Sequence, residues 1–226
     1  MSEGYELYYW PFAGRGEFIR LIFEDAGVPF KDISDRPTLL ELKEGRDGFY
    51  PGFAPPYLRK GNFTLNQTPV ICRYLGKEYG YWPEKEEDHW HAEQVNATIH
   101  DFIAEGRLVF HGVGFVKSYY DQVEETKPYI AWFKKERFAK WLGLFERNLA
   151  ANHGGTGFVV GDKCTYVDLA LLHVLRAAAS QFPDEWAAID TVPLLKAFKL
   201  RMEERPRLAA YFKSDRCRPF EGSSMM

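Results

Sequence analysis

Cysteine is scarce in this chain: Cys72, Cys164 and Cys217 are the only three in 226 residues. Their number is odd, they lie far apart and no CxxC occurs, which argues against a disulfide framework and a cysteine-built metal site. Dithiol–disulfide exchange is disfavoured too, because it needs a reactive thiol of the protein's own. A reduced, cytoplasmic setting is therefore expected. No run of 18 apolar residues exists, so no membrane-spanning helix is expected. The opening "MSEGYELYYW" lacks a basic region followed by an apolar run, so no secretory leader is expected. Charge of either sign is not in excess, with 29 Lys and Arg against 32 Asp and Glu and a net charge of -3. Neither nucleic acid nor an anionic membrane is expected as a partner. There is no internal repeat and no low-complexity tract.

What is present is a globular composition. Hydrophobic residues make up 46% and aromatic residues 16%, enough for a ring-rich core or an apolar pocket. Residues 5–9, "YELYY", read as a strand, and "WPFAGRG" as the loop after it. "GEFIRLIFEDAG" reads as a helix, with Phe18, Leu21 and Ile22 on one face and Gly27 as its cap. "VPFKDI" reads as a second strand, and residues 35–52 as a loop with at most one helical turn. Two short strands, 57–59 and 62–65, flank a tight turn at Lys60–Gly61, and a helix runs from Gln67 to Tyr79. The acidic, proline-containing stretch "GYWPEKEEDH" at 80–89 marks a linker. Beyond it the pattern is helical, including Phe138, Trp141, Leu142, Phe145 and Leu149 at helical spacing. Thr165 and Asp168 have the spacing of a capping box. His89 and His91 sit at an acidic helix start and read as a solvated face rather than a metal pair.

The segment "APPYLRKGNFTLNQT" has two prolines where a strand should begin. A cis bond between Pro55 and Pro56 would turn the Pro55 carbonyl outward as a free acceptor. The hairpin then returns the chain to Gln67 and Thr68, where a helix start offers free N–H groups to a carboxylate. A backbone acceptor beside an anion-binding helix start suits a peptide ligand, although an ordinary edge strand also explains the prolines.

Three stretches, in order and at matching spacing, resemble the cytosolic glutathione transferases. They are "YYWPFAGRGEFIRLIFEDAG", "APPYLRKGNFTLNQTPVICRYLG" and "FVVGDKCTYVDLALLHVL". The resemblance covers about 200 residues and is to the tyrosine-type classes, mu, pi and sigma. It implies a thioredoxin-like α/β domain with a mixed four-stranded sheet over residues 1–82, and an all-helical domain over 83–226 that forms the electrophile pocket. It implies a homodimer, with glutathione as co-substrate and no metal. Small hydrophobic electrophiles would be the second substrate.

By the same resemblance, Tyr9 is the tyrosine that donates its phenol proton to the glutathione sulfur. Strand alternation puts Tyr8, the rival, on the opposite face. Arg15 would steady the thiolate and the loop. Pro55 would accept the cysteinyl N–H, and Gln67 with Thr68 would hold the γ-glutamyl carboxylate. Asp101 would reach the γ-glutamyl amine from the second subunit, and Lys43 or Arg46 would grip the glycyl carboxylate. Trp10, Phe12, Phe110 and His111 are the candidates for the electrophile pocket. Several pi-like enzymes carry a tyrosine near Phe110. Here that phenol is missing, which leaves His111 as the proton donor to an epoxide or enone, or as a polar wall residue. A glutathione-dependent peroxidase or isomerase, or a non-catalytic glutathione-binding protein, would use the same cradle.

Overall fold

The structure is a computed structural model, and it describes residues 4–44, 48–114 and 117–220. The N-terminal half runs β1 (Tyr5–Tyr8), α1 (Gly14–Ala26), β2 (Phe30–Ile33), α2 (Arg36–Lys43), β3 (Tyr57–Lys60), β4 (Phe63–Asn66) and α3 (Thr68–Glu78). The sheet order is β2-β1-β3-β4, with β1 and β2 parallel and the other pairs antiparallel. This is the thioredoxin-like arrangement. Two sequence expectations need correction. The hairpin turns at Gly61–Asn62, because Lys60 still pairs with Phe63; Gly61 supplies the positive φ of 59°. Residues 36–43 form a full helix, not a loop. Asp35 caps it by accepting from the Thr38 N–H and hydroxyl, Pro37 sits in its first turn, and Leu39 and Leu42 bury its inner face.

Register sets where the site lies. Tyr8 pairs with Ile33 on one side and Tyr57 on the other, and Tyr57 pairs with Asn66. The residues that leave the sheet next to these, Tyr9, Pro56 and Gln67, therefore emerge at the same edge. Tyr9 itself lies one residue beyond the strand, with its N–H still bonded to the Ile33 carbonyl at 3.0 Å.

The C-terminal half is helical: α4 (Glu86–His111), α5 (Val123–Trp132), α6 (Ala139–Ala151), α7 (Tyr166–Gln181), α8 (Pro183–Ala188), α9 (Pro193–Glu203) and α10 (Pro206–Phe212). A π-helical stretch, Phe133–Phe138, joins α5 to α6. Helix α7 is apolar around most of its circumference and is accordingly buried along most of its length, packed on α1, α4 and α9. Its N-terminus has the expected capping box. Asp168 accepts from the Thr165 N–H and hydroxyl and also from the Val159 N–H, all at 2.7 Å. The two halves are tied by Arg205, which bonds both oxygens of the buried Asp25, a carboxylate that also accepts from Tyr81 at 2.8 Å, and by the Tyr166 N–H, which donates to the Tyr81 carbonyl at 2.9 Å. His89 contacts the Pro83 carbonyl and packs on Trp82, so its ring closes the linker. No helix among the described residues is long and apolar enough to cross a membrane.

His173 on α7 is fully buried against Phe18 of α1, with ring centroids 4.5 Å apart, and neither ring nitrogen has a hydrogen-bond partner. Burial, helped by Arg176, lowers its pKa to about 3. The folded state therefore holds this imidazole neutral, whereas the unfolded chain protonates it below about pH 6.5. Between those values the unfolded state binds more protons, so stability falls as pH falls. The loss is expected to approach about 1.4 kcal/mol per pH unit from this residue. Urea unfolding at pH 7 and pH 5 checks this, because His173→Phe should flatten that part of the profile.

Candidate active site

Tyr8 and Tyr9 point to opposite faces, as alternation requires. Tyr8 donates to Glu6 at 2.8 Å and packs edge-on against Phe49, in a small cluster with Leu39, Leu42 and Tyr57. Tyr9 turns the other way, under the start of α1, where it is 2% exposed. Its Oη accepts the Arg15 backbone N–H at 2.8 Å. Two glycines make that placement possible. A Cβ on Gly14 would lie 2.5 Å from the Tyr9 Oη, and one on Gly16 would lie 2.6 Å from its ring. Gly14 also has φ of 43°, which disfavours any side chain there. Burial raises the phenol pKa, against the pull of the Arg15 N–H and of Arg15, Arg20 and Arg107. At neutral pH Tyr9 is a phenol and a donor.

The loop that carries Tyr9 is held from beneath by Arg20. This guanidinium is 0% exposed. It donates to the carbonyls of Phe12 and Ala13 at 3.1 Å, to Trp10 at 3.4 Å, to Glu17 at 3.3 Å and to both oxygens of Asp32. Burial alone would depress its pKa, but Glu17 and Asp32 hold it charged. The C-terminal segment completes the support. Arg218 reaches Asp32 at 3.2 Å, Tyr211 donates to Glu17 at 3.1 Å, and the Ala13 N–H donates to the Pro219 carbonyl at 2.8 Å.

Across the sheet edge the Pro55–Pro56 peptide bond is cis. The Asn66 side-chain amide donates to the carbonyls of Ala54 and Pro56, both at 2.7 Å, and so clamps the chain on either side of Pro55. Gln67 follows with φ of 73°, a left-handed conformation rare outside glycine. The helix start it precedes is narrower than a generic one. Pro69 has no N–H, and the N–H groups of Val70 and Ile71 already bond the Gln67 carbonyl. An anion there would meet the N–H and hydroxyl of Thr68. Thr68 is 2% exposed, and its Oγ1 has no hydrogen-bond partner.

The remaining candidates are spread more widely. Phe12 packs edge-on against Tyr9 at 5.8 Å, whereas Trp10 packs toward the Tyr8 cluster. Phe110 turns into the helical core, against Tyr119 and Phe182. His111 Nδ1 contacts the Lys117 carbonyl at 3.0 Å, which fastens the end of α4 to the loop after it. Asp101 is exposed on α4. Lys43 lies over the Phe53 ring at 5.9 Å, and Arg46 falls outside the described residues.

Arg20, Asn66 and the glycine contacts of Tyr9 were missed by sequence reasoning. Arg20 did leave a signal, as a cation inside the apolar run "FIRLIF". Asn66 left none, since it stands as an ordinary polar strand end.

The geometry agrees with comparison to known proteins. Residues 110–215 match the glutathione S-transferase C-terminal domain family. The chain is 31% identical to glutathione S-transferase P 1 of Xenopus laevis over 214 residues, covering 94% of this chain and 93% of that one. It is 32% identical to glutathione S-transferase 2 of Onchocerca volvulus over 208 residues, covering 92% and 91%. Among solved structures, the Onchocerca volvulus pi-class glutathione S-transferase superposes with a TM-score of 0.79 at 25% identity, covering 94% of this chain and 93% of that one. With near-complete coverage by curated relatives and the same two-part fold, this chain belongs to the glutathione S-transferase family and is a glutathione transferase.

Proposed function

We propose that this transferase works by holding glutathione as a thiolate beside Tyr9 and adding its sulfur to hydrophobic electrophiles. The observation that carries this reading is the Arg15 N–H bond to the Tyr9 Oη, 2.8 Å long. It occupies a lone pair of the phenol and leaves the O–H proton to be given to sulfur. An unperturbed thiol of pKa about 8.5 is only a few per cent ionised at neutral pH. Lowering that by about two units takes about 2.7 kcal/mol, within reach of one charge-assisted hydrogen bond in a nearly dry site.

In this reading the Pro55 carbonyl accepts the cysteinyl N–H. Gln67 and Thr68 hold the γ-glutamyl carboxylate, with Asp101 reaching the γ-glutamyl amine of glutathione on a second subunit of a homodimer. Lys43 or Arg46 meets the glycyl carboxylate. The electrophile lies beside Tyr9 and Phe12, with His111 at the far wall and Phe110 supporting it from behind. Residues 1–82 form the glutathione-binding domain and 83–226 the helical one, and the enzyme works in the cytoplasm.

Thr68 gives a test that separates binding from folding. Its hydroxyl is buried without a partner, so Thr68→Val is expected to leave the ligand-free protein at least as stable. The same change should weaken glutathione binding about tenfold. Calorimetric titration and thermal melting on one sample read both. Unaltered affinity would remove Thr68 from the site. A purified protein that does not conjugate glutathione to an aryl halide would remove the proposed reaction.

A further inference from the structure

Residues 216–220 follow α10 without a helix or strand of their own, and Pro219 is exposed. A terminal segment of this kind frays unless it is tied down. Its ties lead to the supports of the Tyr9 loop. Arg218 Nε donates to Asp32 Oδ2 at 3.2 Å, and the same oxygen accepts from Arg20 Nε at 3.0 Å. The Pro219 carbonyl accepts the Ala13 N–H at 2.8 Å. The Phe220 ring stacks on His173 with centroids 5.9 Å apart, and His173 in turn packs edge-on against Phe18 of α1. Arg216 also meets Glu24, but its side chain is 66% exposed and such a pair contributes little. Arg218 and Phe220 are the side-chain anchors.

Ala13 is the point where this segment meets the chemistry. It stands directly before α1 and is 1% exposed. Two residues on, the Arg15 N–H bonds the Tyr9 Oη at 2.8 Å. If the segment lifts, the buried Ala13 N–H loses its acceptor, and that turn must shift or stay unpaired. Either way the bond from Arg15 to Tyr9 is disturbed. The segment is held by few contacts and carries no regular backbone ladder, so it can open locally while the core stays folded.

We infer that residues 216–220 are a positioning strap for the reaction. Docked through Arg218 and Phe220, the strap holds the turn from Ala13 to Arg15 in the geometry in which Tyr9 serves the glutathione sulfur. Linkage makes the effect reciprocal, so bound glutathione favours the docked strap. The inference rests on the proposed thiolate mechanism and adds to it a support from the far end of the chain.

The test uses the full chain with Arg218→Gln and Phe220→Ala combined. Cys217 is half-buried within the strap and Cys72 is fully buried in α3, so a thiol reagent followed by peptide mass spectrometry reads the strap and the core separately. In the double variant Cys217 is expected to label about tenfold faster than in the parent, while Cys72 stays protected. The pKa of bound glutathione, read by thiolate absorbance, should rise toward its free value, and kcat/KM at neutral pH should fall about fivefold. Arg218→Lys should keep most of both. Saturating S-methylglutathione, which has no thiol to consume the reagent, should slow Cys217 labelling in the double variant. Should Cys72 report unfolding there, Arg218→Gln alone gives the same readouts at a smaller size. Faster Cys217 labelling with an unmoved thiol pKa overturns the inference and leaves the conjugation reaction standing. Unchanged Cys217 labelling overturns it too, because the strap then docks without these anchors. A parent enzyme that holds no thiolate overturns both the mechanism and the strap's part in it.

Discussion

Tyr9→Phe is expected to slow conjugation about 20-fold at neutral pH, as the thiolate fraction falls, and to return the pKa of the bound thiol toward about 8.5. The ring would stay where Gly14 and Gly16 receive it, so the change removes one oxygen and little else. That oxygen has two roles in the structure. It accepts the Arg15 N–H, and in the proposed mechanism it donates to sulfur. Losing the first leaves a buried N–H unpaired, at a cost of about 1–3 kcal/mol, which thermal melting would register. Losing the second is read by the ultraviolet absorbance of the bound thiolate against pH. A titration unchanged from that of the parent enzyme would reassign thiolate stabilisation away from Tyr9, with Arg15 the next group to test. Tyr8 is a poor substitute, because it is engaged by Glu6 on the other face of the sheet.

Arg20→Met is expected to be the most destabilising single change near the site. Methionine replaces the aliphatic stem but not the guanidinium, so the buried site also loses packing. The polar cost is large. Glu17 and Asp32 lose the cation between them, and the carbonyls of Trp10, Phe12 and Ala13 lose a donor. Breaking a buried ion pair by removing one partner costs about 3–5 kcal/mol. For a chain of this size that is a fall in Tm on the order of 10 °C. Arg20→Lys keeps the charge but lacks the fork that reaches acceptors on five residues, so it should fall between the two. Urea unfolding measures the difference, and a loss below about 1 kcal/mol would show that the loop holds itself. A separate effect on activity is expected at temperatures where both variants remain folded, since the carbonyls that Arg20 gathers belong to the loop that follows Tyr9.

Much of this was legible because the informative residues are local in sequence. The Tyr9 loop, the double proline and the Thr165–Asp168 box each declare themselves within a few positions, through backbone chemistry that only certain residues satisfy. Helix α2 was harder. Its stabilisation comes from Leu39 and Leu42 packing under Tyr8, Phe49 and Tyr57, which are distant in sequence or across a loop. Its cap, Asp35 with Pro37 and Thr38, is a readable signal that the surrounding charges and glycines outweighed. The same distinction separates Tyr9 from its supports. Arg20 and Asn66 act on carbonyls, and a carbonyl carries no residue identity from which a partner could be inferred. Phe110 and Trp10 show the reverse problem. Both have the right chemistry for a pocket wall, and only tertiary packing decides that their rings face a core instead.

The bond from the Ala13 N–H to the Pro219 carbonyl has a consequence for how the protein is made. The loop after Tyr9 leaves the ribosome well ahead of its partner at position 219. The sheet can pair and α1 can pack against α3 during translation, because those contacts lie within the first part of the chain. The loop cannot gain this support until more than 200 further residues have emerged, as the spacing of positions 13 and 219 dictates. A nascent chain stalled short of that point would carry a paired sheet and an unfinished site, so chemical competence should be acquired abruptly, once position 219 has emerged, rather than gradually along the message.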